Sequence, residues 1–72
     1  MKREPIDSRV IASMGYDPAW RVLELEFLET GEIYDYFEVP PEIYAAFRSA
    51  ASKGTYLNTT FKAYGYRYVR VK

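Results

Sequence analysis

Two alternating runs hinged on a Thr30-Gly31 turn constrain this chain more than any other feature in it. From Arg21 to Glu29, Leu23, Leu25 and Phe27 fall on one parity and Glu24 and Glu26 on the other. The same period of two continues from Ile33 to Val39. Such alternation marks half-buried strands, and a tight turn between them marks a hairpin. A two-residue loop pairs Glu29 with Glu32, setting Phe27 opposite Tyr34 and Leu25 opposite Tyr36; a four-residue loop starting at Glu29 keeps that register. One face then carries Leu23, Leu25, Phe27, Tyr34 and Tyr36, a core wall of cross-strand pairs. The other carries Glu24, Glu26 and Asp35, with Asp35 opposite Glu26, and is expected to be wet and acidic.

The flanking sequence supplies what this wall packs against. Ser8 to Tyr16 is a first strand whose register is open, because either parity could supply the core, and Asp17-Pro18 is a turn signal. Pro40-Pro41-Glu42 opens a helix, with proline in its first turn and an acid at the positive dipole end. Ile43, Phe47 and Ala50 lie on one stripe, and Lys53-Gly54 is expected to end the helix. A second, shorter helix is expected from about Tyr56 to Ala63, with Leu57, Phe61 and Tyr64 on one side. After Gly65, Tyr66 to Val71 again alternates and reads as an edge strand or an extended tail. The fold class is α+β: an antiparallel three-stranded meander, then two helices packed on one face, with a short C-terminal edge strand as an option. Residues 1–72 form one domain, with residues 1–6 expected as a flexible N-terminal arm.

Composition narrows function by exclusion. The chain has no Cys and no His, so thiolate chemistry and the commonest general base and metal ligand are missing. Eight Tyr, four Phe and one Trp let a short chain bury large areas with few rotors. Nothing after Met1-Lys2-Arg3 resembles an apolar export segment or a membrane span, and a soluble, cytoplasmic protein is expected. Net charge is zero, but all ten acids lie in residues 1–42 with four bases, while residues 43–72 hold six bases and no acid. This asymmetry points either to an anionic partner or to two parts of the chain that neutralise each other on folding.

Several of these residues recur in one spacing: Tyr16-Asp17, Leu25-x-Phe27, Gly31-x-x-Tyr34-x-Tyr36-x-x-Val39-Pro40, and Ser52-x-Gly54-x-Tyr56-Leu57-Asn58-x-x-Phe61-x-x-Tyr64. The pattern resembles the KTSC domain family, over about Ser8 to Val69. That family takes its name from the C-terminal domain of some lysyl-tRNA synthetases and also occurs as free-standing bacterial and phage proteins. The resemblance implies a free-standing member and suggests RNA as a partner, through the attachment to a tRNA synthetase. Leu57 stands where an aromatic is expected, Phe61 where Ile is, and Gly65 where Pro is common. The first two exchanges stay apolar; the third loosens the entry to the tail.

The candidate nucleic-acid-binding residues are Lys53, Lys62, Tyr66, Arg67, Tyr68 and Arg70, which combine phosphate charge with flat stacking groups. The competing account makes Tyr66 to Val71 an amphipathic edge strand whose bases pair with Glu24, Glu26 or Asp35. Tyr34 and Tyr36 are expected to be core residues facing the first helix rather than a stacking platform. Ser52-Lys53-Gly54-Thr55 could hold a phosphate, but reads better as a helix connection with Thr55 as N-cap. Asn58 is expected to satisfy backbone groups in its turn. Glu24, Glu26 and Asp35 form no evident pocket, so neither catalysis nor a metal is expected, and no cofactor. The expected function is a small non-enzymatic module for RNA, either tRNA or single-stranded. The alternative is a protein-interaction or self-associating module that joins opposite charges.

Overall fold

The computed structural model describes all 72 residues, Met1–Lys72. The sheet has five antiparallel strands in chain order, not three: β1 (Glu4–Pro5), β2 (Ile11–Asp17), β3 (Val22–Phe27), β4 (Ile33–Tyr36) and β5 (Tyr68–Arg70). The helical segment between β4 and β5 covers one face of this sheet. Against that segment Ile11, Met14, Leu23, Leu25, Tyr36, Val39, Phe47, Leu57 and Phe61 form the buried core. The α+β class and the C-terminal edge strand are as expected; the N-terminal strand is the addition. No helix is long and apolar enough to cross a membrane.

The expected hairpin forms with its pairing shifted. Leu23 lies opposite Tyr36 and Leu25 opposite Tyr34. The reason is the turn. Phe27 N–H donates to Glu32 O and Gly31 N–H to Phe27 O, both at 2.9 Å, so the loop spans residues 28–31 and begins at Leu28. A slip of two residues keeps every side chain on its face, which is why the core wall survives the change. It does exchange cross-strand partners: Asp35 faces Glu24, not Glu26. In β2, a bulge between Ile11 and Ser13 lets residues of opposite parity, Ile11 and Met14, both reach the core. Neither parity alone describes that strand.

The acidic face of the hairpin is not wet where it matters. β1 pairs with β2 through Glu4↔Met14 and Pro5↔Ser13, so the arm is held across the sheet and not left free. Arg3 Nη1 reaches Glu24 Oε1 at 2.6 Å and its Nε donates to Ser13 Oγ at 2.9 Å. Ser13 Oγ in turn donates to Glu26 Oε1 at 2.8 Å. Glu24 is left 9% exposed. Gly15 allows this close approach: a Cβ there would lie 2.5 Å from the Lys2 carbonyl oxygen.

The helices divide earlier than the sequence implies. α1 (Pro41–Ser49) ends at an extended Ala50, so Lys53-Gly54 does not terminate it. Instead Ser52, not Thr55, caps a second segment by accepting from Thr55 N–H at 3.2 Å. That segment runs as α2 (Lys53–Tyr56), widens into a π turn (Leu57–Phe61) and tightens into a 3-10 turn (Lys62–Tyr64). Tyr16 and Tyr44 stack at 4.7 Å where β2 meets α1, while Phe47 and Phe61 bring the two helical segments together at 5.2 Å. Gly65 ends the helix at φ +73°, a conformation closed to proline, whose ring holds φ near −65°. The residue that departs from the family pattern here thus turns the chain toward β5 through a conformation proline could not adopt.

Candidate functional site

Alternation along β5 puts Tyr68 and Arg70 on the helix-covered face of the sheet, opposite Tyr36 and Tyr34 respectively. The helical segment reaches the sheet through Phe61 and stops short of that edge. Between them an open groove of about 790 Å³ remains, closed at one end by the β3–β4 turn and bordered by the loop before β2. Its size is within the range of ligand-binding clefts.

The floor and walls are aromatic and continuous. Phe27 meets Tyr34 edge-on at 5.6 Å, Tyr34 meets Tyr68 at 5.7 Å, and Tyr68 meets Tyr36 at 5.3 Å. Tyr36 meets Phe61 at 5.0 Å and Phe61 meets Tyr66 at 5.2 Å. Burial grades along this series. Tyr36 is 8% exposed and Tyr68 is 57% exposed, so one ring anchors the groove and the other offers a free face. Burial, with the neighbouring Tyr68 and Tyr34 adding to it, pushes the Tyr36 phenol up to about 12. At neutral pH the Tyr36 ring is uncharged.

Charge is confined to the borders. Glu32 accepts from the Tyr34 hydroxyl at 3.2 Å and pairs with Arg70 at 3.2 Å, which neutralises both. Lys62 and Arg9 line the groove and take part in none of the chain's three ion pairs, which join Arg3 to Glu24, Arg48 to Glu4 and Arg70 to Glu32. Two cations without carboxylate partners thus border a surface of rings. Glu29 also lines it, supplying an acceptor at the turn.

The six residues singled out from sequence separate here. Lys62, Tyr66 and Tyr68 line the groove together, and Arg70 is held beside it by Glu32. Arg67 is on the opposite face, its guanidinium 5.2 Å from the Phe37 ring centroid. Lys53 is further away, its ammonium donating to Ala50 O at 2.6 Å. None of the basic residues of the tail pairs with Glu24, Glu26 or Asp35. Asn58 is exposed and makes no side-chain hydrogen bond that would satisfy its turn. Sequence reasoning missed Arg9, which lies in the acidic part of the chain, and expected Tyr34 as core, whereas it is half-buried and lines the groove. Tyr36 is core as expected; its ring meets Phe61 of the second helical segment, in the same buried cluster as Phe47 of the first helix.

The KTSC domain model matches residues 7–68, which takes in every element from β2 to the start of β5 and all the groove residues. The chain belongs to the KTSC domain family. A crystal structure of a KTSC domain protein from Yersinia pestis superposes with a TM-score of 0.90 at 37% identity, covering 99% of this chain and 97% of that one. An uncharacterized protein of Stutzerimonas stutzeri is 44% identical over 71 residues, 99% of each chain. A lysine–tRNA ligase of Nostoc punctiforme is 34% identical over 56 residues, which are 78% of this chain and 10% of that enzyme. The KTSC fold thus occurs both at the full length of a small protein and as a minor part of a large one.

Proposed function

We propose that this KTSC domain is a non-catalytic binding module for single-stranded RNA, with the aromatic groove as its binding surface. The observation that carries this reading is the convergence of Tyr34, Tyr66 and Tyr68 with an unpaired Lys62 on one open groove. Every nucleobase has a face that can stack on such rings, and each stacked base contributes about 1–3 kcal/mol. Lys62 supplies phosphate neutralisation, while Glu29 can accept from a base amino group. The sequence shared with part of a lysine–tRNA ligase supports an RNA partner over other anions.

The test is fluorescence anisotropy with labelled single-stranded RNA, duplex RNA and tRNA across a salt series. Tyr68→Ala is expected to weaken single-strand binding by about 1–3 kcal/mol at constant salt slope. Lys62→Gln is expected to reduce the slope of log affinity against log salt by about 0.7. A wild-type protein that binds no RNA at low salt overturns the proposal.

A second reading rests on β5 being the last strand of the sheet, with Val69 and Val71 about half exposed on its back face. An open strand edge can accept a strand from another chain. On that account light scattering detects a dimer or a mixed complex, and added RNA leaves it unchanged.

A further inference from the structure

We propose that the RNA path does not end in the aromatic groove but crosses Arg9 into a second cavity, with the Arg9 guanidinium holding the phosphate at the crossing. This rests on the RNA-binding reading above and extends it to a residue and a surface that reading does not need.

The second cavity, of about 320 Å³, lies between the loop before β2 and the start of α2. It shares Arg9 and Val10 with the groove, so the two hollows meet along that loop. Their characters differ. The groove is walled by rings, whereas the second cavity is mostly polar, with Ser8, Ser52 and Lys53 in its lining and Asp7 its one carboxylate against two cations. Bases suit the first and a charged backbone suits the second.

Arg9 is placed for the crossing. It is exposed, forms no ion pair, and its flanking backbone is fixed. Ser8 Oγ accepts from Val10 N–H at 3.1 Å and Ile11 N–H at 3.2 Å, and Val10 O accepts from Leu28 N–H at 2.9 Å. The guanidinium is therefore a free charge on a firm shelf, suited to bidentate phosphate contact. Lys62 and Lys53 stand near the two ends of the helical segment. They are nine positions apart along it, on the order of 10 Å, with Arg9 on the surface between the two hollows. A mononucleotide cannot occupy such a path; an oligonucleotide can.

The experiment compares Arg9→Gln with wild type in the intact chain, using a labelled dinucleotide and a labelled eight-nucleotide oligouridylate across a salt series. Arg9→Gln is expected to lower the salt slope for the longer RNA by about 0.7 and to leave dinucleotide affinity within twofold. The thermal midpoint should not move, because the side chain has no partner within the fold. An unchanged slope for the longer RNA, with Tyr68→Ala still weakening it, overturns the path over Arg9 and leaves the groove as the whole site. Failure of the wild type to bind either RNA overturns the RNA-binding reading itself, and the path with it.

Discussion

Tyr34 and Tyr36 sit two residues apart on one strand and one face, yet they do different work. The Tyr36 ring is enclosed by Phe61 and Tyr68, while Tyr34 is half-buried at the groove, its hydroxyl on Glu32. Tyr36→Ala should cost about 3–5 kcal/mol, as loss of a large buried aromatic does, and urea denaturation monitored by circular dichroism measures it. Tyr34→Ala should cost clearly less in the same experiment. The shared face was legible, since strand alternation alone assigns it. The difference in depth was not, because it depends on where a helix 25 residues further along comes to rest.

At the scale of the element, the hairpin shows how one turn residue redistributes charge. Starting the loop at Leu28 puts Glu24 directly across from Asp35, under the cover of Arg3. Burial raises the Asp35 carboxyl to about 6, with the Glu24 hydrogen bond and charge adding to this, and its Oδ1 is buried without a partner. Burial also pushes Glu24 up, but hydrogen bonds from Asp35 and Arg3, with the Arg3 charge, outweigh it and hold that carboxyl below its usual range. The two act on stability in opposite senses. A folded-state pKa above the unfolded one means that Asp35 stabilises the fold fully below about 4 and loses this as pH rises through about 6. Glu24 stabilises above its unfolded pKa and loses this as pH falls below about 4. The urea midpoint should therefore rise as pH is lowered from 7 to 5 and fall again under stronger acid. Asp35→Asn should abolish the rise and keep the fall. Sequence could place all three acids on one face, but not foresee this pairing, because a two-residue change in register leaves hydrophobic alternation untouched. Nor does any apolar pattern in residues 1–6 announce that Arg3 will cover them.

For the whole molecule, the charge asymmetry of the sequence is partly cancelled by folding. Two of the three ion pairs, Arg48–Glu4 and Arg70–Glu32, join a base from residues 43–72 to an acid from residues 1–42. What survives at the groove is a small set of unpaired cations, one of which, Arg9, comes from the acidic part. Blocks along a chain become surfaces only through topology, and the topology here is a meander interrupted once. β1 to β4 pair through neighbouring segments, so their contacts are local and their loops cheap to close. The β4–β5 pairing is different: Tyr36 meets Tyr68 across a connection that holds both helical segments. The groove is bounded by that one long-range closure. Because its closure spans the longest loop in the sheet, the groove edge is expected to open before the other strand pairs. In native-state hydrogen exchange, the Val71 amide, bonded to Ile33 O, should exchange through a smaller opening than the amides between β2 and β3. Ligand bound across the groove would slow exchange at that edge first, so the longest closure in the sheet is also the one that occupancy most protects.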